Sequence, residues 1–217
     1  MPEAPMQKRL FFCILTILIL ALAGCGGKSD SRPVFVAEIL SNQPSDGDIA
    51  FDPVLQTFTI THGPETLFFG IDDADPNFPE FRAFLDFPLD GSTGDDGVPS
   101  SARIVSATLE VFIDTVSFAP IVPTLLDLVI YPVSGPREED FDALALLSQV
   151  LDFFASDQGR FVSIDVTLLM QEAQRLGLTD FQVRFLLDLT ADVGLVGIED
   201  LPAVSLTAPL LSVVYTR

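Results

Sequence analysis

From Val34 onward the chain is written as short apolar runs divided by clusters of Gly, Pro, Asp and Asn. Runs of this length, rich in Val, Ile, Phe and Thr and bounded by turn formers, specify strands. Many of them in succession specify an all-β fold, a jelly-roll-like antiparallel β-sandwich. The pattern predicts strands at 35–40, 56–61, 66–71, 81–87, 104–115, 126–132, 149–154, 161–166, 181–187 and 210–216. Alternation is clearest at 103–114, where Ile104, Leu109, Val111 and Ile113 are apolar and the phase slips near Ser106 and Ala107. A β-bulge at the slip restores one inward face. A helix is expected at 168–176, capped by Thr167 and ended by Gly177, with a second short helix at 138–146. Long loops are expected at 72–80, 90–101 and 189–208, with one domain at 34–217 and no internal repeat.

The N-terminal segment follows a different pattern. Lys8 and Arg9 precede an apolar stretch at 10–22, followed by Leu22-Ala23-Gly24-Cys25. A basic start, a short apolar run and small residues at a cut make a secretory signal. The run is shorter than the roughly 20 residues a spanning helix needs. Leu-Ala-Gly-Cys resembles the lipobox of bacterial lipoproteins. That resemblance implies removal of residues 1–24, diacylglycerol on the Cys25 thiol, and a fatty acid such as palmitate on the new amine. Gly26, rather than Asp, follows the cysteine, which by the same resemblance implies an outer-membrane address. Small polar residues at 26–33 read as a flexible tether after the lipidated Cys25.

Composition then limits the chemistry. Cleavage leaves 193 of 217 residues, enough for one substantial core, and Cys25 as their lone cysteine. No disulfide can form within that part, so stability rests on burial, with or without metal. Net charge is -20, and Lys28 is the lone lysine past the cut. Nucleic-acid binding needs clustered Lys and Arg against phosphate, so no nucleic-acid partner is expected. Docking on anionic headgroups is excluded on the same ground. The membrane partner is reached through lipid on Cys25.

Six segments, in order, carry a family resemblance. They are Arg82-Ala83-Phe84-Leu85-Asp86-Phe87, Val105 to Phe112, Leu128-Val129-Ile130-Tyr131-Pro132-Val133, Ile164-Asp165-Val166-Thr167-Leu168-Leu169, Phe181 to Leu187, and Ala208 to Tyr215. Together they resemble the DNRLRE modules, related to disaggregatase-type carbohydrate-binding sandwiches. The resemblance implies a jelly-roll sandwich and no catalytic residues. The stretch at 134–159 lacks the Trp residues of that family.

Several clusters invite chemistry. Asp72, Asp73, Asp75 and Asn77 form a dense oxygen set of the kind that surrounds calcium. An EF-hand is excluded, because Phe78 and Phe84 stand where its Gly and Glu belong. Asp90, Asp95 and Asp96 lie among glycines, and Asp46, Asp48, Glu199 and Asp200 form a further weak set. A solvated turn competes with calcium at each. His62, the single histidine, sits in Thr61-His62-Gly63-Pro64 and reads as a turn residue. No G-x-S-x-G occurs, so no nucleophile and base stand out. Tyr131 and Tyr215 read as core, while Phe68-Phe69 and Phe153-Phe154 each place one ring on either strand face.

These features lead to an expectation of a lipid-anchored, non-catalytic envelope module with a structural or adhesive role, meeting a glycan or protein of the envelope. A glycan- or ligand-binding module is the alternative, and a hydrolase with paired carboxylates comes third.

Overall fold

Strand formation follows the alternation, and the exceptions have local causes. The computed structural model describes residues 33–94, 96–188, 193–201 and 206–217. Cys25, the expected signal segment at 1–24 and the expected tether up to Arg32 therefore lie outside the described residues, as does Asp95. The strands are β1 (Val34–Leu40), β2 (Gly47–Asp52), β3 (Thr57–His62), β4 (Thr66–Ile71), β5 (Glu80–Pro88) and β6 (Arg103–Ser117), followed by β7 (Ile121–Leu128), β8 (Leu147–Phe154), β9 (Arg160–Asp165), β10 (Asp180–Leu187), β11 (Gly194–Glu199) and β12 (Leu210–Thr216). One α-helix, α1 (Thr167–Leu176), follows β9. The fold class is all-β and sandwich-like, with every pairing antiparallel.

Two long strands organise the sheet. Residues 108–110 of β6 pair with both β12 and β9, so those partners lie on opposite edges. Farther along, Phe112 and Ile113 exchange β12 for β11. In β5, Phe81 pairs with both Ala50 of β2 and Gly70 of β4, and Ala83 with Asp48 of β2 and Phe185 of β10. One half of the sandwich is thus β9-β6-β12-β1 and the other β3-β2-β5-β10-β7-β8. The β4–β11 ladder joins them.

The predicted bulge is present, and β6 needs a second. Buried positions run Ile104, then Ala107, Leu109, Val111 and Ile113, then Val116. Register against β12 slips between Ser106 and Ile104, leaving Val105 as the extra residue. Register against β11 slips between Thr115 and Ile113, leaving Asp114 as the extra residue. Each bulge resets the alternation, so one strand buries the same face over its whole length.

β2 and β11 are additions to the predicted set, and β7 starts at Ile121 rather than 126. Asp-Gly-Asp before β2 and the two glycines of β11 read as turn signals in the sequence. In the fold, Gly70 has φ +107, and a Cβ there would stand 2.0 Å from the Gly194 carbonyl oxygen. Glycine lets the β4 and β11 backbones approach. The expected loop at 189–208 is corrected by β11. The second helix is corrected to a single 3-10 turn, Glu138–Asp140. α1 ends at Gly177 in the left-handed conformation, as expected. Thr167 does not cap it: Val166 holds the cap position, and Thr167 Oγ1 bonds Asp165 Oδ1 at 2.6 Å.

The main core lies between the two halves. It gathers Phe69, Leu85, Leu109, Val111, Phe153, Phe185 and Val213, with α1 contributing Leu169, Met170 and Ala173. A second, smaller core lies on the outer face of β5, around Ile49, Phe84, Val129, Tyr131 and Phe141. Residues 129–141 cover that face, and Phe51 and Phe58 of the adjoining β2–β3 hairpin pack against the same cluster. β5 is therefore buried on both sides from Ala83 to Pro88.

Candidate functional site

Alternation dictates what the cover encloses. With Ala83, Leu85 and Phe87 turned to the main core, Arg82, Phe84 and Asp86 face outward on β5. Gln182 and Arg184 of β10 pair with Asp86 and Phe84, and Asp127 of β7 pairs with Arg184. The cover seals these groups as a polar layer: Asp86 is fully buried, and Asp127, Gln182 and Arg184 are each under 5% exposed.

One end of the layer is cationic and paired. Arg184 Nη2 donates to Asp127 Oδ2 at 2.6 Å, and Arg184 Nη1 donates to the carbonyls of Asp140 and Phe141 at 3.0 and 2.7 Å. Ser148 Oγ donates to Asp127 Oδ1 at 2.6 Å. Arg82 also donates to the Phe141 carbonyl, and its guanidinium lies 3.7 Å from the Phe141 ring centroid. Two arginines thus pin the covering loop onto the sheet.

The other end is acidic. Asp46, at the close of a 3-10 turn (Gln43–Ser45), accepts the Asp86 N–H on Oδ1 at 2.6 Å. Asp200, just past β11, accepts Ser41 Oγ–H on Oδ1 at 3.0 Å. Its own carbonyl receives Gln43 Nε2 at 2.8 Å. Asn42 Nδ2 donates to Asp86 Oδ2 at 3.4 Å. Asp46 and Asp200, 154 positions apart in the chain, are brought into one corner by the bonds of Ser41 and Gln43 to Asp200. Asp46 Oδ2, Asp200 Oδ2, Asp86 Oδ1 and the Tyr131 hydroxyl have no partner among the described residues.

Burial controls these acids. It pushes the Asp200 carboxyl up to about 7, against partial relief from Ser41 and Asp46. Burial and the Asp180 charge push Asp86 up to about 6. Asp46 is raised well above the usual carboxylate range, by burial first and then by the charges of Asp200 and Asp86. Burial, and then Asp46, Asp86, Asp200 and Asp140, raise the Tyr131 phenol. Charged forms buried in low dielectric are disfavoured.

The structure therefore unites two members of the weak acidic set, Asp46 and Asp200. Asp48 lies apart from them, its Oδ2 accepting the Phe68 N–H at 3.1 Å, and Glu199 ends β11 opposite Thr66. Asp72 Oδ1 takes the Ala74 N–H at 2.9 Å and Asp75 Oδ1 the Asn77 N–H at 2.8 Å, while Asn77 Nδ2 donates to Asp52 at 2.8 Å. Asp73 is exposed beside them. Asp90 Oδ1 accepts the Ser92 N–H at 2.8 Å, and Asp96 is exposed. Among the described residues no group of three or more His, Cys, Asp or Glu is arranged to hold a metal ion. His62 is the last residue of β3 rather than a turn residue, with Nε2 2.9 Å from the Pro136 carbonyl oxygen. Tyr131 and Tyr215 are buried, and in each Phe pair one ring, Phe69 or Phe153, is fully buried.

Sequence reasoning missed Asp86, Asp127 and Arg184. Their signal was present: each is a charged residue flanked on both sides by apolar ones, as Leu85-Asp86-Phe87, Leu126-Asp127-Leu128 and Val183-Arg184-Phe185. Beyond the polar layer, an open cavity of about 230 Å³ lies between α1 and the residues around Leu89 and Val98. Its walls include Leu89, Val98, Pro99, Met170 and Leu178, with Gln174 and Thr179 as polar members.

No protein family and no curated protein matches the chain. Among solved structures, the crystal structure of the infectious bursal disease virus VP2 subviral particle aligns at 9% identity, over 92% of this chain and 81% of that chain, with a TM-score of 0.15. So low a score carries no argument about fold or function.

Proposed function

We propose that this chain is a lipid-anchored, non-catalytic module of the bacterial cell envelope, with a structural or adhesive role. The observation that carries the non-catalytic reading is burial. The acids most displaced from ordinary carboxylate behaviour, Asp46, Asp86 and Asp200, are fully covered. A general acid or nucleophile must come within hydrogen-bonding distance of its substrate. Buried acids and arginines here tie loops to the sheet instead. The anchor reading rests on Leu22-Ala23-Gly24-Cys25 behind its basic and apolar leader. An acidic domain on a lipid anchor is repelled by anionic headgroups and stands away from the bilayer surface.

The test is metabolic labelling of the full chain with an alkyne fatty acid in a bacterial host. Label is expected on the wild type and lost in Cys25→Ala, with the unlabelled protein leaving the membrane fraction. Equal labelling and fractionation of the two would refute the anchor. A second reading, a ligand-binding module, is favoured by the 230 Å³ cavity beside α1, whose mostly apolar walls suit a small apolar group. A glycan array separates that reading from glycan adhesion, because such a cavity lacks a flat exposed aromatic platform for a sugar ring.

A further inference from the structure

The acidic end of the buried layer presents a physical problem. A carboxylate can only accept hydrogen bonds. Asp46 and Asp200 are nevertheless both fully buried in one corner, where Ser41 and Gln43, just before Asp46 in the chain, bond Asp200, and each keeps one Oδ2 that no donor among the described residues satisfies. The ion pairs among the described residues use Arg82, Arg137, Arg175 and Arg184, and none reaches this corner. Two buried acceptors in one corner, with the ion-paired arginines of the described residues engaged elsewhere, are relieved by a proton.

We propose that Asp46 and Asp200 share a proton in the folded domain at neutral pH, forming an acid clasp that tightens as the medium acidifies. The clasp has a defined place. Ser41 and Asn42 lead out of β1, and the backbone N–H of Ser41 bonds the Pro209 carbonyl at 3.0 Å. The backbone of Asn42 bonds the Asp86 carbonyl at 2.8 Å. Asp200 bonds the Glu65 carbonyl through its own N–H at 2.8 Å. The acid pair therefore joins the β1–β2 turn to the end of β11 and the centre of β5.

Among the described residues, the titratable groups that act on the pair are acidic. Asp86 approaches from β5 and Tyr131 from the segment after β7, while Asp180 acts on Asp86 from the start of β10 and Asp140 acts on Tyr131 from its 3-10 turn. The nearby cation, Arg184, is committed to Asp127 and the two carbonyls. The Tyr131 hydroxyl is buried, unpartnered and under the influence of all three carboxyls, so it adds a polar group that a charged cluster would draw in.

The sign of the pH effect follows from linkage. Unfolded Asp loses its proton near pH 4, whereas the buried pair keeps one up to about 7. The folded state binds more protons across that window, so stability falls as pH rises through it. For one retained proton the folded-to-unfolded ratio drops about tenfold per pH unit.

The experiment is urea unfolding of the full chain in detergent from pH 5 to pH 8, with wild type, Asp200→Asn and Asp46→Asn, in chelator and in calcium. Expected is a wild-type stability that falls across the window, and a flatter profile in each Asn variant. Infrared absorption of wild type at pH 7 should carry a protonated-carboxyl band that Asp200→Asn loses. That band keeps the inference testable if a variant fails to fold. A flat or rising wild-type profile, or absence of the band, would overturn it. A calcium-dependent rise at pH 8 that Asp200→Asn abolishes would also overturn it, by showing a metal where the proton is placed.

Discussion

Arg184 offers the sharpest test of the polar layer. Its guanidinium makes one ion pair and two carbonyl contacts, and its side chain, like that of Asp127, is 5% exposed. Arg184→Ala removes all three bonds at once. Asp127 keeps Ser148 Oγ as a donor but loses its countercharge, while the Asp140 carbonyl loses a buried donor and the Phe141 carbonyl retains Arg82. Breaking a buried pair from one side costs about 3–5 kcal/mol. Loss of the carbonyl contacts lies within that figure rather than on top of it, because the measured costs already contain such orphaned groups. The loop at 129–141 would also loosen, exposing the small core around Phe84 and Tyr131. The assay is equilibrium urea unfolding of wild type, Arg184→Ala, Asp127→Ala and the double variant. Both single variants should be strongly destabilised and the double far less than their sum, since each single leaves one uncompensated group. A cost below about 1 kcal/mol for Arg184→Ala, or simple additivity, would refute this account of the layer.

Two further outcomes are expected. Gly70→Ala should cost about 3 kcal/mol or more, because φ is +107 there and the new Cβ would collide with the Gly194 carbonyl; a melting temperature equal to wild type would contradict the close approach of β4 and β11. If Asp72, Asp73, Asp75 and Asn77 bind calcium, the melting temperature should be higher in calcium than in chelator and the difference should vanish in Asp73→Asn; coincident curves remove calcium from this loop.

Much of the sandwich was legible, and the reasons for its gaps are specific. β4, β10 and β12 announce themselves because their apolar residues lie between clear turn formers. β11 hides because Gly194 and Gly197 carry no side chain to register alternation, and they are present to let the side chains of Val122 and Phe68 pack close. β7 hides its start behind Pro123, which is tolerated opposite Asp152. Asp46 and Asp200 were visible as acids in turns, but their meeting is a tertiary fact: nothing local brings residues 154 apart into one corner. The polar layer itself left a trace in three lone charges set within apolar strands. That trace becomes readable once both faces of β5 are known to be covered.

The pairing of β1 with β12 sets the timing of assembly. Val34 lies opposite Thr216, and Leu40 opposite Leu210. Apart from a single bridge from Ile39 to Gly94, β1 therefore lacks its ladder partner until β12 has been made. Ladders of such sequence separation form slowly, because loop closure precedes any reward from contact. During synthesis local hairpins such as β2–β3 and β7–β8 can form, while β1 waits for β12. If the export leader proposed for residues 1–24 operates, that delay would help keep the polypeptide threadable through a narrow secretion channel.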